Sequence, residues 1–411
     1  MDATVNDITK GKSSLFKNRN FLFLFIGALF SSPGYYVYLI GAEWLMLTLN
    51  DNRFYFGMLF IAASIPRLLL LTVGGVVADR FNKRLILFLS DMTRALLILV
   101  LVVLLFADMV TAWHLIILAA CFGISDAFSY PVLNSLTPMI LEEEQLQRGN
   151  SFIQMTSQIS PILGPALGGT LIAVLGFKGV FIAAFLFLFL ASITVLLIRL
   201  EKDDDKEEVH SPWQDLKAGF VYARNNEIIM SIVFLGFILN FFFSGPLSMG
   251  IPIIVKDVFI GSAVSLATVE TSLGIGALIG ALVLASITLK KPGYVMVSGL
   301  IVLGILFTFI GFSSSVLFTA GLVAMMAFIL QLVNIPLITM LQKTTDKKML
   351  GRIMSLLMTV STGLVPVSYV ATSLLISAGV GIQSIIVCSG IIITLIALYN
   401  LRNKQLLKIR Q

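Results

Sequence analysis

Apolar residues run along this chain in long blocks parted by short polar breaks. Twelve blocks are long enough to cross a bilayer as a helix: 21–48, 55–78, 85–107, 113–140, 151–176, 178–200, 228–255, 264–289, 294–312, 315–341, 353–378 and 380–401. About 20 predominantly apolar residues are required, because within hydrocarbon each backbone amide must find its partner inside its own segment. Two breaks are only four residues long, GFKG at 176–179 and AGVG at 378–381, and their glycines predict a reversal rather than one continuous helix. The one long polar stretch, EKDDDKEEVHSPWQDLKAGFVYARNNE at 201–227, divides the chain into an N-terminal six-helix half (1–200) and a C-terminal six-helix half (228–411). Within this linker a solvated charge run comes first. From Ser211 onward Trp213, Leu216, Phe220 and Tyr222 recur at near-helical spacing, which predicts an amphipathic helix on the cytoplasmic interface. The fold class is therefore an all-α polytopic membrane protein of twelve transmembrane helices in two halves.

Composition agrees: of 411 residues 58% are hydrophobic and 12% charged, half the charged share usual in soluble domains. With the N-terminus cytoplasmic, the loops on the far side hold only Arg53, Lys178 and Lys256, and Arg67 and Arg94 fall within apolar segments. The remaining 23 of the 28 Lys and Arg then lie on the cytoplasmic side, a strong positive-inside bias. That bias, beside anionic lipid, accounts for the net charge of +6 without nucleic acid. The polar N-terminus leads into a segment too long for a signal-peptide core, so helix 1 is expected to remain. Cys121 and Cys388 both sit in apolar segments, where buried structural thiols are expected.

The halves read as repeats. YPVLNSLTPMILEEEQLQRGNSF closes helix 4 and opens helix 5, and IPLITMLQKTTDKKMLGRIMSL does the same for helices 10 and 11. Arg148 and Ser151 correspond to Arg352 and Ser355 at an offset of 204, with Pro131 and Pro336 one residue out of register. Parallel repeats of this kind place a binding site between the halves near the midplane.

At the cytoplasmic end of helix 2 the chain reads GGVVADRFNKR (74–84). Plain positive-inside anchoring explains Arg80, Lys83 and Arg84 but requires neither Asp79 nor its spacing from Gly75. The stretch resembles the G-x-x-x-D-R-x-G-R/K-R/K signature of the major facilitator superfamily, filled here by Gly75, Asp79, Arg80, Lys83 and Arg84. Asn82 stands where the family usually has glycine, and asparagine tolerates a left-handed backbone. The resemblance implies the major facilitator fold and a gating loop that latches the halves together, with the Asp near the start of helix 11. A carboxylate beside a helix N-terminus gains about 0.3 to 2 kcal/mol, weak enough to break during a cycle. In helix 5, SPILGPALGG resembles the GPxxGG element of the antiporter branch through Gly164, Pro165, Gly168 and Gly169; plain packing glycine is the alternative, with Pro165 kinking the helix. SDMTRA in helix 3, DAFSYPVLNSLTP in helix 4 and WQDLKAGFVYARNN before helix 7 are similar to the drug:proton antiporter subfamily that includes macrolide and enterobactin exporters.

Charge within the membrane costs about 2.5 to 3.5 kcal/mol per residue, so each example needs a partner or a task. Asp91 and Arg94, one turn apart, read as a local ion pair joined to the loop charges. Arg67 faces either Glu43 or Asp126, as a structural pair or as part of proton coupling, since a carboxylate binds a proton when dehydrated and releases it to a cation or water. Glu270, about six residues into helix 8, is expected at the water boundary. Asn240, Phe241, Phe242 and Phe243 in helix 7, with Gln331 and Asn334 in helix 10, are candidates for lining an apolar cavity.

No G-x-x-x-x-G-K-[ST] loop is present, and the two histidines, His114 and His210, are far apart in sequence, which argues against an ATP-driven pump and a membrane-embedded enzyme. The expectation is a secondary transporter, not an enzyme, in the cell membrane with both termini cytoplasmic. It would be a monomer that exports lipophilic or amphipathic small molecules in exchange for protons, with no cofactor besides the proton gradient and no metal. A lipid-like or siderophore exporter or flippase of the same fold is the alternative.

Overall fold

The computed structural model describes residues 15–199, 220–287, 289–346, 349–402 and 407; the side chains of Asp79 and Asn134 lie outside that description. Helices run as α1 (Arg19–Leu49), α2 (Arg53–Arg80), α3 (Lys83–Phe106) and α4 (Ala112–Ile140), then an unbroken run of helical hydrogen bonding over Glu143–Leu196. A single helix of that length would extend about 80 Å at 1.5 Å per residue, far beyond a hydrocarbon core of about 30 Å. It is a hairpin. Gly176 sits at φ 66, ψ −168, and both arms lie along α1: Tyr36 meets Gly164 and Ile40 meets Gly168, while Gly34 meets Phe187 and Gly41 meets Phe181. The arms are α5 (143–175) and α6 (177–196). The second half follows as α7 (Glu227–Ile253) with a π turn at Ile254–Val258, α8 (Ala263–Ser286), α9 (Pro292–Gly311), α10 (Val316–Thr344), α11 (Leu350–Ser377) and α12 (Ile382–Asn400). The second glycine break also turns, at Gly379 with φ 85.

Pairings repeat between the halves. α1 packs on α5 as α7 packs on α11, and α2 on α4 as α8 on α10. Small residues set the α2–α4 and α8–α10 distances: an added Cβ on Gly123 would fall 2.9 Å from the Ala63 carbonyl carbon, and one on Gly276 2.7 Å from that of Ala324. Without a hydrophobic drive between helices in lipid, such close backbone approach supplies the packing energy.

Several boundaries differ from the hydropathy blocks. α5 begins at Glu143, eight residues before its apolar block, because its first two turns are polar and project past the hydrocarbon. Backbone angles stay helical through Pro165, and Gly176 takes the reversal. Asn82 is not left-handed: at φ −61 it caps α3, its side chain accepting from the Leu85 amide. Of the expected linker helix, 211–219 fall outside the described residues; Phe220–Arg224 are helical, and the Tyr222 hydroxyl donates to Asp346 at 3.0 Å. Cys388 is exposed on the bundle surface and Cys121 only half-buried, so neither is the buried thiol expected.

Gly176 and Gly123 should respond to substitution for opposite reasons. Gly176 has open space around it and only a backbone constraint; Gly176→Ala is predicted to lose about 1–3 kcal/mol, read as a lower unfolding midpoint in detergent. Gly123→Leu, with helical angles but no room, should separate α2 from α4 and abolish monodisperse protein.

Candidate transport cavity and its charges

A cavity of about 630 Å³ lies between the halves, lined by α1, α2, α4 and α5 on one side and α7, α8, α10 and α11 on the other. Its aromatic wall comes mainly from the first half. Tyr35, Tyr36 and Tyr38 follow Pro33 and Gly34 on α1, joined by Phe60 of α2 and Phe122 of α4, with Tyr369 of α11 opposite. Tyr38 stacks on Phe122 with centroids 4.2 Å apart, and Tyr369 lies 5.2 Å from Phe60 across the halves. Asn240 lines the cavity as expected, its amide donating to the Gly236 carbonyl at 2.9 Å. Phe241, Phe242, Phe243, Gln331 and Asn334 do not. Phe243 is buried against Phe307, Phe241 stacks along α7 with Phe237, and Gln331 packs beside Gly280. The run YYVY at 35–38 was the sequence signal for the true wall, but a helix apolar on every side does not say which face meets the cavity.

Two sets of charges border this space. Arg94 is the centre of the first. Its guanidinium donates to Asp91 Oδ1 at 3.3 Å, to Ser129 Oγ at 3.0 Å and to Asp126 Oδ1, while Ser31 Oγ of α1 donates to Asp91 Oδ1 at 3.1 Å. Arg67 approaches the other oxygen of Asp126 at 3.8 Å. Arg67 thus faces Asp126 rather than Glu43. The Asp91–Arg94 pair is joined to Asp126 rather than to the loop charges, because both residues point into the bundle. Two arginines and two aspartates balance across α2, α3 and α4, with Arg94 and Asp91 almost wholly buried.

The second set is two glutamates. Glu43 is 3% exposed and lines the same cavity as Glu270 from the other half, the two carboxyls interacting across it. Glu270 therefore faces the cavity and not the water boundary: α8 packs on α5 on either side of it, where Gly169 meets Ala267 and Gly274 meets Ile162. No ion pair reaches either glutamate among the described residues.

Around the same end the halves touch. Arg53, at the start of α2, pairs with Asp257 in the π turn, and also donates to the Leu47 and Asn50 carbonyls. Gly57 of α2 meets Ser373 of α11 and Met249 of α7, and Thr271 Oγ1 of α8 donates to the Ile162 carbonyl of α5 at 3.4 Å. At the opposite end an added Cβ on Gly75 or Gly351 meets nothing within 4 Å. Gly75, Arg80, Lys83 and Arg84 lie at that end. Arg84 donates to the Ile198 carbonyl at 3.0 Å, tying the loop to the end of α6 within its own half; Arg80 is exposed and Lys83 half-exposed. Of the antiporter-like element, Gly164 and Gly168 let α5 approach α1, Gly169 lets it approach α8, and Pro165 lines the cavity.

Among the described residues, twelve long apolar helices in two repeated halves around a central cavity define a polytopic membrane protein with a transporter fold. The chain belongs to the Major Facilitator Superfamily, whose sequence profile matches residues 24–367. It is similar to macrolide efflux protein A of Enterococcus faecalis, 30% identical over 51% of this chain and 65% of that one, and to macrolide efflux protein A of Streptococcus pyogenes, 26% identical over 79% and 81%. A staphyloferrin A transporter of Staphylococcus aureus is 25% identical over 65% of this chain and 69% of that one. Among solved structures, a POT family transporter superposes with a TM-score of 0.71 at 13% identity over 95% of this chain and 97% of that one. The nucleoside transporter NupG gives 0.70 at 11% over 92% and 99%. At these identities the two structures speak for the fold alone.

Removing Arg94 leaves two acids without their shared cation. Arg94→Met is predicted to lose about 3–5 kcal/mol, the usual cost of stranding a buried charge, read as lost monodisperse protein or a lowered unfolding midpoint. Adding Asp91→Asn should recover part of it. Unchanged stability in the single variant would contradict the pairing.

Proposed function

We propose that this transporter sits in the cell membrane with both termini and the 201–227 linker cytoplasmic, and exports bulky lipophilic or amphipathic small molecules in exchange for protons. It acts as a monomer and draws only on the proton gradient, without cofactor or catalysis. The observation that carries the reading is the cavity: about 630 Å³ walled by six aromatic side chains beside four charged ones, Glu43, Arg67, Asp126 and Glu270, within the usual size for a small-molecule site. Such a wall binds by area and shape, which admits several substrates at modest affinity each. Similarity to two proteins named for macrolide efflux supports lipophilic antibiotics as the substrate class. The similarity to a staphyloferrin A transporter favours siderophore export as the second reading.

Within this reading the loop of Gly75, Asp79, Arg80, Lys83 and Arg84 closes the cytoplasmic end when the opposite end opens, Asp79 meeting the start of α11. In the conformation described the halves touch at the Arg53–Asp257 end; with the proposed orientation, that is the far side, and the cavity faces the cytoplasm.

Cells overproducing the protein should tolerate more than one lipophilic antibiotic or dye, accumulate less of each, and lose both advantages when a protonophore is added. Protection confined to one compound, or uptake that follows the proton inward, would contradict the reading. Asp79→Asn should insert normally and cut efflux at least several-fold; full efflux would leave the loop a topology signal only.

A further inference from the structure

Glu43 and Glu270 come from different halves and meet where the halves touch. A carboxylate offers only acceptors, so two carboxyl groups can hydrogen-bond only if one carries a proton. Glu43 is almost wholly buried, and its Oε2 meets no donor. Among the described residues no cation pairs with either glutamate to take the place of that proton. The other cavity charges, Arg67 and Asp126, are paired with each other. Lys256 lies over the Trp44 ring, 4.9 Å from its centroid. The remaining titratable neighbours are Tyr36 and Tyr38 of α1 and Tyr369 of α11, whose hydroxyl is directed to Ser248 at 3.5 Å. α5, which packs on both α1 and α8, has no charged residue between Gly149 and Phe177, and α10 has none before Lys343.

We propose that Glu43 and Glu270 form a proton-binding site shared between the halves, and that the single proton they hold fastens the halves at the Arg53–Asp257 end. With the proton in place the pair is a hydrogen-bonded carboxyl and carboxylate. When the proton passes through the cavity to water, two like charges face each other out of reach of a cation, and their repulsion parts α1 from α8. Opening then hydrates both acids, one takes a proton from the water on that side, and the end closes again. Resting on the proposed export function, this couples one proton inward to each opening that releases substrate outward. It assigns coupling to Glu43 with Glu270, and leaves Asp126 as the fixed partner of two arginines.

The test needs neither substrate nor gradient, so its outcome is separate from that of the efflux assays. In the purified full-length chain bearing Cys121→Ser and Cys388→Ser, spin labels at Met109→Cys and Phe312→Cys report the distance between halves at this end. Both positions are exposed in loops of opposite halves. Between about pH 5.5 and about pH 10, a range that spans the raised values buried glutamates reach, the parent should gain a longer-distance population. Glu270→Gln should hold the short distance at both values, since an amide donates to Glu43 without a titrating proton, and Glu43→Gln provides the mirror-image variant should the first not fold. A parent distance indifferent to pH would overturn the proposal, as would either glutamine variant lengthening with pH as the parent does.

Discussion

A charge inside a bilayer has no water to stabilise it, and every feature of this site answers to that constraint. Around Arg94, two arginines and two aspartates from α2, α3 and α4 neutralise one another within the first half. That set can stay together while the halves move. Glu43 and Glu270 have no such closed arrangement, because among the described residues neither has an ion-pair partner and each faces another acid. Balanced charge thus builds the half, and unbalanced charge is left where the halves meet.

Close approach of small residues supplies the rest of the geometry. Gly123 on Ala63 and Gly276 on Ala324 fix helix spacing inside each half. Gly57 on Ser373, and Gly169 and Gly274 of α5 and α8 against their partners, set the spacing between halves at one end. Contacts of the first kind bury backbone against backbone within a rigid unit. Those of the second kind are shared with Arg53–Asp257 and the glutamates, which charge can separate, and this is the condition for rocking one half against the other.

The helices were legible in the sequence because a membrane-crossing segment is defined by length and polarity alone, and the two glycine breaks were read correctly as turns at Gly176 and Gly379. Polar extensions such as the first two turns of α5 were missed, since hydropathy stops at the edge of the hydrocarbon. Arg67, Asp126 and Glu43 were visible as intramembrane charges, but their partners were not. Lipid-facing and packed faces of a membrane helix are equally apolar, so periodicity does not orient a side chain toward its neighbour. Glu270 was misplaced for that reason, and so were Phe241, Phe242, Phe243, Gln331 and Asn334. Asn82 was expected to bend the backbone as glycine would, whereas its side chain is used to cap α3.

The central claim is that the cavity's acids divide into a permanently paired set and a pair that needs a proton. Infrared spectroscopy of the purified protein tests it most directly, because a protonated carboxyl has a carbonyl stretch that a carboxylate lacks. At neutral pH a protonated-carboxyl band should be present, vanish in Glu43→Gln and in Glu270→Gln, and persist in Asp91→Asn and Asp126→Asn. Absence of the band in the parent, or its loss on replacing either aspartate instead, would contradict the account.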